Sequence, residues 1–200
     1  MKQFLIILVL FMTSPLCAFD LSDMGDFSSR STIENQLFNR KTISQDEKDV
    51  LVAKKLAPTH RCLFEQIKKG SYENVELLLN AKVNPNTAYM NEYAIYIAAK
   101  ENKFDILKLL YENNAKLDRG FFSELYEAVK NKNADMAQYL LDRGARVNYT
   151  DSITNNTILY LALKNNMHDL VKQLILKGAN PDIKSLKYMK KHKLADLIPQ

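Results

Sequence analysis

The stretch Asp135-Met136-Ala137-Gln138-Tyr139-Leu140-Leu141-Asp142-Arg143-Gly144-Ala145-Arg146-Val147-Asn148 decides the fold, because the chain keeps returning to its pattern. Asp105-Ile106-Leu107-Lys108-Leu109-Leu110-Tyr111-Glu112-Asn113-Asn114-Ala115-Lys116-Leu117-Asp118 is a second version of it. Glu73 to Asn86 and Asp169 to Asp182 are a third and a fourth. Each opens on an acid, continues with apolar residues at helical spacing, and ends in a turn that closes on Asn or Asp. The acid falls in the first turn of the helix, where the macrodipole favours negative charge. Equivalent residues Val83, Ala115, Ala145 and Ala179 lie 32, 30 and 34 positions apart.

Upstream of each of these helices the spacing predicts another. Arg61-Cys62-Leu63-Phe64-Glu65-Gln66-Ile67-Lys68 aligns with Tyr93-Ala94-Ile95-Tyr96-Ile97-Ala98-Ala99-Lys100. Ser123-Glu124-Leu125-Tyr126-Glu127-Ala128-Val129-Lys130 and Thr157-Ile158-Leu159-Tyr160-Leu161-Ala162-Leu163-Lys164 complete the set. Each carries an aliphatic residue, an aromatic, a small or aliphatic pair and then Lys. A two-helix unit of this size cannot bury its apolar face alone, so tandem copies must stack.

Over residues 60–198 the pattern resembles the ankyrin repeat, a helix-turn-helix-hairpin unit of 33 residues with a Thr-Pro-Leu-His-x-Ala signature. The resemblance implies an all-α solenoid of stacked helix-turn-helix units. Four repeats are expected at about 59–86, 87–118, 119–148 and 149–182, followed by a truncated, basic C-terminal cap repeat over 183–200. In the cap, Ser185–His192 is the expected first helix and Leu194–Ile198 the second. The departures carry expectations of their own. Phe64, Tyr96, Tyr126 and Tyr160 stand where the signature has His, so apolar stacking should replace that residue's hydrogen bonds between repeats. Cys62, Ala94, Glu124 and Ile158 stand where it has Pro, so the first helices should start less sharply. Gly70, Asn102, Lys132 and Asn166 occupy the turn between the helices, where a left-handed backbone suits Gly and Asn better than Lys.

The N-terminus reads differently. Met1-Lys2-Gln3, nine apolar residues from Phe4 to Met12, and Thr13 to Ala18 have the layout of a secretory signal peptide over 1–18, with cleavage expected after Ala18. Residues 19–58 are a connector with one or two short helices. One is expected over Thr32–Asn39. The other opens at the capping box Ser44-Gln45-Asp46-Glu47 and closes at Pro58. Removal of the leader would leave Cys62 as the single thiol, read here as a small buried residue.

Charge and motifs exclude several functions. The net charge of +5 is carried by Lys2 and by the end of the chain, where Lys184, Lys187, Lys190, Lys191 and Lys193 face Asp196 alone. Residues 19–182 are neutral, so no nucleic-acid partner is expected. Glycine-rich phosphate loops and a Gly-x-Ser-x-Gly nucleophile motif are absent from the sequence. His60, His168 and His192 are scattered over a linker, a turn and the cap. No catalysis, no cofactor, no metal and no small-molecule substrate are expected.

By resemblance, a partner protein binds the concave face, built from the hairpin fingers and the exposed ends of the first helices. The fingers carry Tyr89, Met90, Phe121, Phe122, Tyr149 and Ile153, types common at interfaces. Phe122 and Ile153 could equally fold back onto the stack. Lys68, Lys100, Lys130 and Lys164 recur at one position, either as solvent-facing helix formers or as a basic stripe that steers an acidic partner. The expected protein is therefore a bacterial interaction module, periplasmic or secreted, without membrane association once the leader is removed. The alternative is an envelope-anchored scaffold held by an uncleaved N-terminal segment or by the basic cap.

Overall fold

Four pairs of successive helices, one further helix and a two-stranded hairpin are the main elements of the described residues. In the computed structural model these are residues 58–194 together with Ser44, Asp46, Val50, Leu51, Lys54 and Leu56. The pairs are α1 (His60–Lys69) with α2 (Tyr72–Asn80), α3 (Ala94–Lys100) with α4 (Phe104–Glu112), α5 (Glu124–Lys130) with α6 (Ala134–Asp142), and α7 (Ile158–Lys164) with α8 (His168–Leu176). Helix α9 (Ile183–His192) is the first helix of the cap. The architecture is the expected all-α ankyrin-repeat solenoid. The expected signal peptide, the helix at 32–39 and the second cap helix lie outside the described residues. Of the helix expected after Ser44, only Asp46, Val50 and Leu51 are described, and they are helical. No helix among the described residues is long and apolar enough to cross a membrane.

The helices form here because each end is chemically closed. At three first helices a hydroxyl takes the orphan N–H groups: Thr59 accepts from Cys62, Ser123 from Tyr126 and Thr157 from Tyr160. The starts are therefore sharp without proline, contrary to expectation, because the cap rather than the next residue sets the boundary. The acids Glu73, Asp105, Asp135 and Asp169 all fall in the first turn of the second helices.

Both helices of every pair end in the same turn. A left-handed residue (Gly70, Asn102, Lys132 or Asn166, φ from 55° to 73°) ends each first helix. The next N–H then reaches back five residues: Ser71 to Gln66, Lys103 to Ala98, Asn133 to Ala128 and Met167 to Ala162. Lys82, Asn114, Gly144 and Gly178 repeat the device after the second helices, with Val83, Ala115, Ala145 and Ala179 as donors. His60 and His168 are not in a linker and a turn as the spacing suggested. They are the opening residues of α1 and α8.

The chain divides into two compact units. Of the described residues, one unit holds those up to Ala94 with Lys108–Ala115, the other Ile95–Leu107 with those from Lys116 on. In the first unit, α1 and α2 pack on each other and Asn74 donates to Gln66 at 2.9 Å. Its finger is a small hairpin, β1 (Ala88–Tyr89) paired antiparallel with β2 (Glu92–Tyr93). Met90 and Asn91 turn it, both with positive φ. Cys62 is wholly buried in α1, as expected of a small residue facing a neighbour.

In the second unit, α7 packs on α5, α8 and α9. Side-chain amides stitch each repeat to the one before. Asn131 donates to the carbonyls of Ala99 and Lys100, and Asn165 to that of Val129 at 2.6 Å. They add a donor to carbonyls at the ends of α3 and α5, of which Ala99 and Val129 also accept from the turn N–H groups of Asn102 and Lys132. Asp118 and Asn148, which close their turns, also bond the backbone one layer up. Asp118 accepts from the Arg146 N–H at 2.6 Å, and Asn148 exchanges two bonds with Gly178 and Asn180. Aliphatic and small residues of the two stripes, among them Ala98, Leu125, Leu140, Ile158 and Val171, are wholly buried.

Candidate protein-interaction surface

The aromatic at the signature position of each repeat decides how its neighbouring finger is held. Phe64 meets Tyr89 with ring centroids 5.6 Å apart, in the first unit. In the second unit Tyr96 stacks on Phe122 at 4.9 Å, and Tyr126 meets Tyr149 edge-on at 5.3 Å. Tyr160 takes Tyr188 of α9 in the same way. Aromatic packing thus links the repeats, as expected from the missing His. It does not replace hydrogen bonding, however. The Tyr96 hydroxyl donates to Glu127 at 3.2 Å, and the Tyr126 hydroxyl pairs with Thr154. A buried tyrosine keeps its polar end satisfied, and each finds a partner in the following repeat.

This packing sorts the finger residues into two kinds. Tyr89, Phe122 and Tyr149 turn inward onto the helices. Phe122 remains 38% exposed, so it still presents an edge. Met90, Phe121 and Ile153 point away, with exposures of 78%, 87% and 92%. Large apolar groups exposed to that degree gain nothing from the fold.

The two fingers of the second unit are held stiffly under their exposed tips. In the finger between α6 and α7, the Asp151 carboxylate accepts from both the N–H and the hydroxyl of Thr154, at 2.8 and 2.7 Å. Those bonds hold its pKa below the ordinary carboxylate value. Asp151 N–H bonds Asn156 and Asn155 N–H bonds Asp151, which closes the loop beneath Ile153. Lys184 of α9 caps the same finger by donating to the carbonyls of Thr154 and Asn155 and to the Asn156 side chain. One of the five terminal lysines is therefore structural. Burial, together with the charge of Asp151, raises the Tyr149 phenol.

In the finger between α4 and α5, Arg146 donates to the Phe122 carbonyl at 3.3 Å, and its guanidinium lies over the Tyr149 ring. Its Nε is 3.7 Å from Asp118 Oδ1. The Asp118 N–H in turn bonds the Glu124 carboxylate at 3.2 Å. Glu124 is 1% exposed, and burial pushes its carboxyl up to about 7, with the charge of Asp118 adding to the rise. Glu124, Asp118 and Arg146 are not among the site residues expected from the sequence. The one available signal was an acid at the signature proline position, at the start of an otherwise apolar helix.

All four lysines expected to form a stripe are exposed, at or next to the last residue of α1, α3, α5 and α7. Within the second unit, the Asn131 and Asn165 bridges bring the ends of α3, α5 and α7 into one row. The row carries Lys100, Lys130 and Lys164. Their charges are not all bare: Lys130 is ion-paired with Glu127 at 3.1 Å, and Lys100 lies over the Tyr96 ring.

Among the described residues no group of His, Cys, Asp and Glu is arranged to hold a metal ion.

The family model described as ankyrin repeats (3 copies) matches residues 63–151 and 125–185. Two ankyrin repeat proteins of fowlpox virus are each 30% identical to the chain. One alignment runs over 117 residues, 57% of this chain and 28% of the viral protein. The other runs over 119 residues, 58% of this chain and 17% of the viral protein. The chain thus spans less than a third of the length of either relative. The repeating helix pairs, their shared turns and the family match together show that the chain belongs to the ankyrin-repeat family.

Proposed function

We propose that this protein is a non-catalytic binding module whose second unit takes a protein partner on the tips of its fingers and on the lysine row beside them. The observation that carries this reading is the contrast within each finger. One aromatic anchors the base, and Phe121 or Ile153 is left 87% or 92% exposed on a loop already fixed by hydrogen bonds. Burying such a side chain in a partner's pocket is worth about 1.5–3 kcal/mol, and a loop ordered in advance loses little entropy on binding. Lys100, Lys130 and Lys164 favour an acidic partner, chiefly through the rate of association.

Affinity capture with the 200-residue chain tests the proposal against the double variant Phe121→Ser/Ile153→Ser. A protein held by the wild type and released by the variant, at unchanged melting temperature, supports it. Equal retention refutes the role of the finger tips. For the lysines, changing Lys68, Lys100, Lys130 and Lys164 to Gln should slow association and flatten its salt dependence. Identical association at low salt would leave the row as a solvated face.

The proposed location, in the periplasm or outside a bacterial cell, rests on the N-terminal sequence alone. Mass spectrometry of the mature protein tests it through the loss of residues 1–18. One observation favours a scaffold held at the envelope by its cap: Ile183 and Leu186 are exposed on α9 beside Lys187 and Lys190. Co-sedimentation with anionic vesicles, abolished by Ile183→Ser/Leu186→Ser, would support that second reading.

A further inference from the structure

The base of the Phe121 finger contains a carboxyl pair that binding does not require. Asp118 ends the turn before the finger and Glu124 opens the helix after it, so residues 119–123 are the loop between two acids. Two observations set the pair apart from an ordinary acidic cluster. Glu124 is 1% exposed. Asp118 Oδ1 is buried and has no hydrogen-bond donor, although Asp118 Oδ2 accepts from the Arg146 N–H. The Asp118 N–H bonds the Glu124 carboxylate at 3.2 Å, so the two acids meet at the finger base, where two ionised carboxylates offer each other no donor.

We propose that Asp118 and Glu124 share one proton, donated from Glu124 to Asp118 Oδ1, and that this proton latches the finger that presents Phe121. With the proton in place, the orphan acceptor is satisfied, the pocket carries one negative charge, and Arg146 balances it from 3.7 Å. With the proton lost, two carboxylates face each other across the finger base with that single guanidinium for both. Asp118 already holds a left-handed backbone at φ 53°, so the turn has a further reason to relax.

Among the described residues, the ion pair that reaches the two acids is that of Arg146 with Asp118. On α5 itself, Glu127 is engaged by Lys130 and the Tyr96 hydroxyl. Asp135 and Asp142 of α6 and Lys164 of α7 are exposed, as is Arg119 in the finger, and Tyr149 lies under Arg146. Protonation of Glu124 is therefore the route by which the pair can be neutralised. The inference deepens the proposed binding role by making it sensitive to pH near neutrality: the finger is held in mildly acidic surroundings and loosened in alkaline ones.

The test reads the finger without any partner, so it stands or falls separately from the binding role. Amide hydrogen exchange of residues 119–123 is measured in the full chain at about pH 5.5 and about pH 8.5, corrected for intrinsic exchange. A carboxyl at about 7 in the closed finger, against 4.5 when exposed, gives roughly thirtyfold more opening at the higher pH. In Glu124→Gln the amide donates to Asp118 Oδ1 at every pH, so the pH dependence should vanish while the finger stays protected. Asp118→Asn, whose amide donates to an ionised Glu124, carries the same expectation should the first variant fold poorly. Equal opening of the wild-type finger at both pH values, or a pH dependence that survives in either folded variant, overturns the proposal.

Discussion

Replacing Lys132 with glycine should stabilise this protein, although it removes a whole side chain. Lys132 ends α5 at φ 57°, in the left-handed region, and is exposed. A residue with a Cβ costs about 1–2 kcal/mol there. Glycine escapes that strain but loses about 0.5–1 kcal/mol more backbone entropy on folding. The difference favours Lys132→Gly by about 0.5–1 kcal/mol, or roughly 1–4 °C in melting temperature for a chain of this size. The reciprocal change sharpens the test. Gly144 holds φ 79°, and a Cβ built on it meets nothing within 4 Å. Gly144→Ala should therefore show the backbone cost without a steric clash and melt lower by a similar margin. Thermal melts followed by circular dichroism at one pH and one salt concentration compare the two. A lower melting point for Lys132→Gly, or an unchanged one for Gly144→Ala, would refute the assignment of those turns as the source of strain.

Three further outcomes follow from the packing and the charges. Ala98→Asp and Leu140→Asp should each destabilise by at least about 3 kcal/mol, because both sites are wholly buried with no counter-charge; wild-type melting for either would displace the helix register. Asn165→Ala should cost about 0.5–1.5 kcal/mol, since it removes one of two donors to the Val129 carbonyl at the end of α5, the other being the Lys132 N–H; urea titration reads the loss, and none would mean that the bridge is decorative. Stability should also fall as pH rises from about 4.5 to above about 7, because the folded chain holds a proton on Glu124 that the unfolded chain releases. The loss is on the order of 3 kcal/mol at most. Melting temperatures across that range should slope downward in the wild type and less so in Glu124→Gln.

The sequence made some of this architecture legible because repetition averages out local ambiguity. One segment such as Asp135–Asn148 is a plausible amphipathic helix and little more. Four aligned segments reveal which positions must be apolar, which must turn and which may vary. The turn after each first helix was readable for that reason. Gly70 and Asn102 announce a left-handed residue, and alignment carries the inference to Lys132, where propensity alone argues against it. The capped starts were misread because the comparison fixed on the missing proline. The residues that close the helices stand earlier: Ser123 and Thr157 one position before the signature proline site, and Thr59 three positions before it.

The candidate surface resisted the same treatment because a finger residue's fate depends on what the neighbouring repeat places beside it. Phe121 and Phe122 are adjacent and chemically identical, yet one is 87% exposed and the other stacks on Tyr96, 26 positions earlier in the chain. No local pattern distinguishes them. The repeat register does, once Tyr96 is placed against the finger of the following repeat. Glu124 is the harder case. An acid in a buried first turn breaks the apolar pattern and could have been flagged, but its meaning lies in partners 6 residues before it and 22 after it. Repeat averaging hides such a site, since Cys62, Ala94 and Ile158 hold the equivalent positions and none of them titrates as a carboxyl does. Features shared by all four repeats build the stack. The features present in one repeat, the Phe121 tip and the acid pair beneath it, are where a function particular to this chain has room to reside.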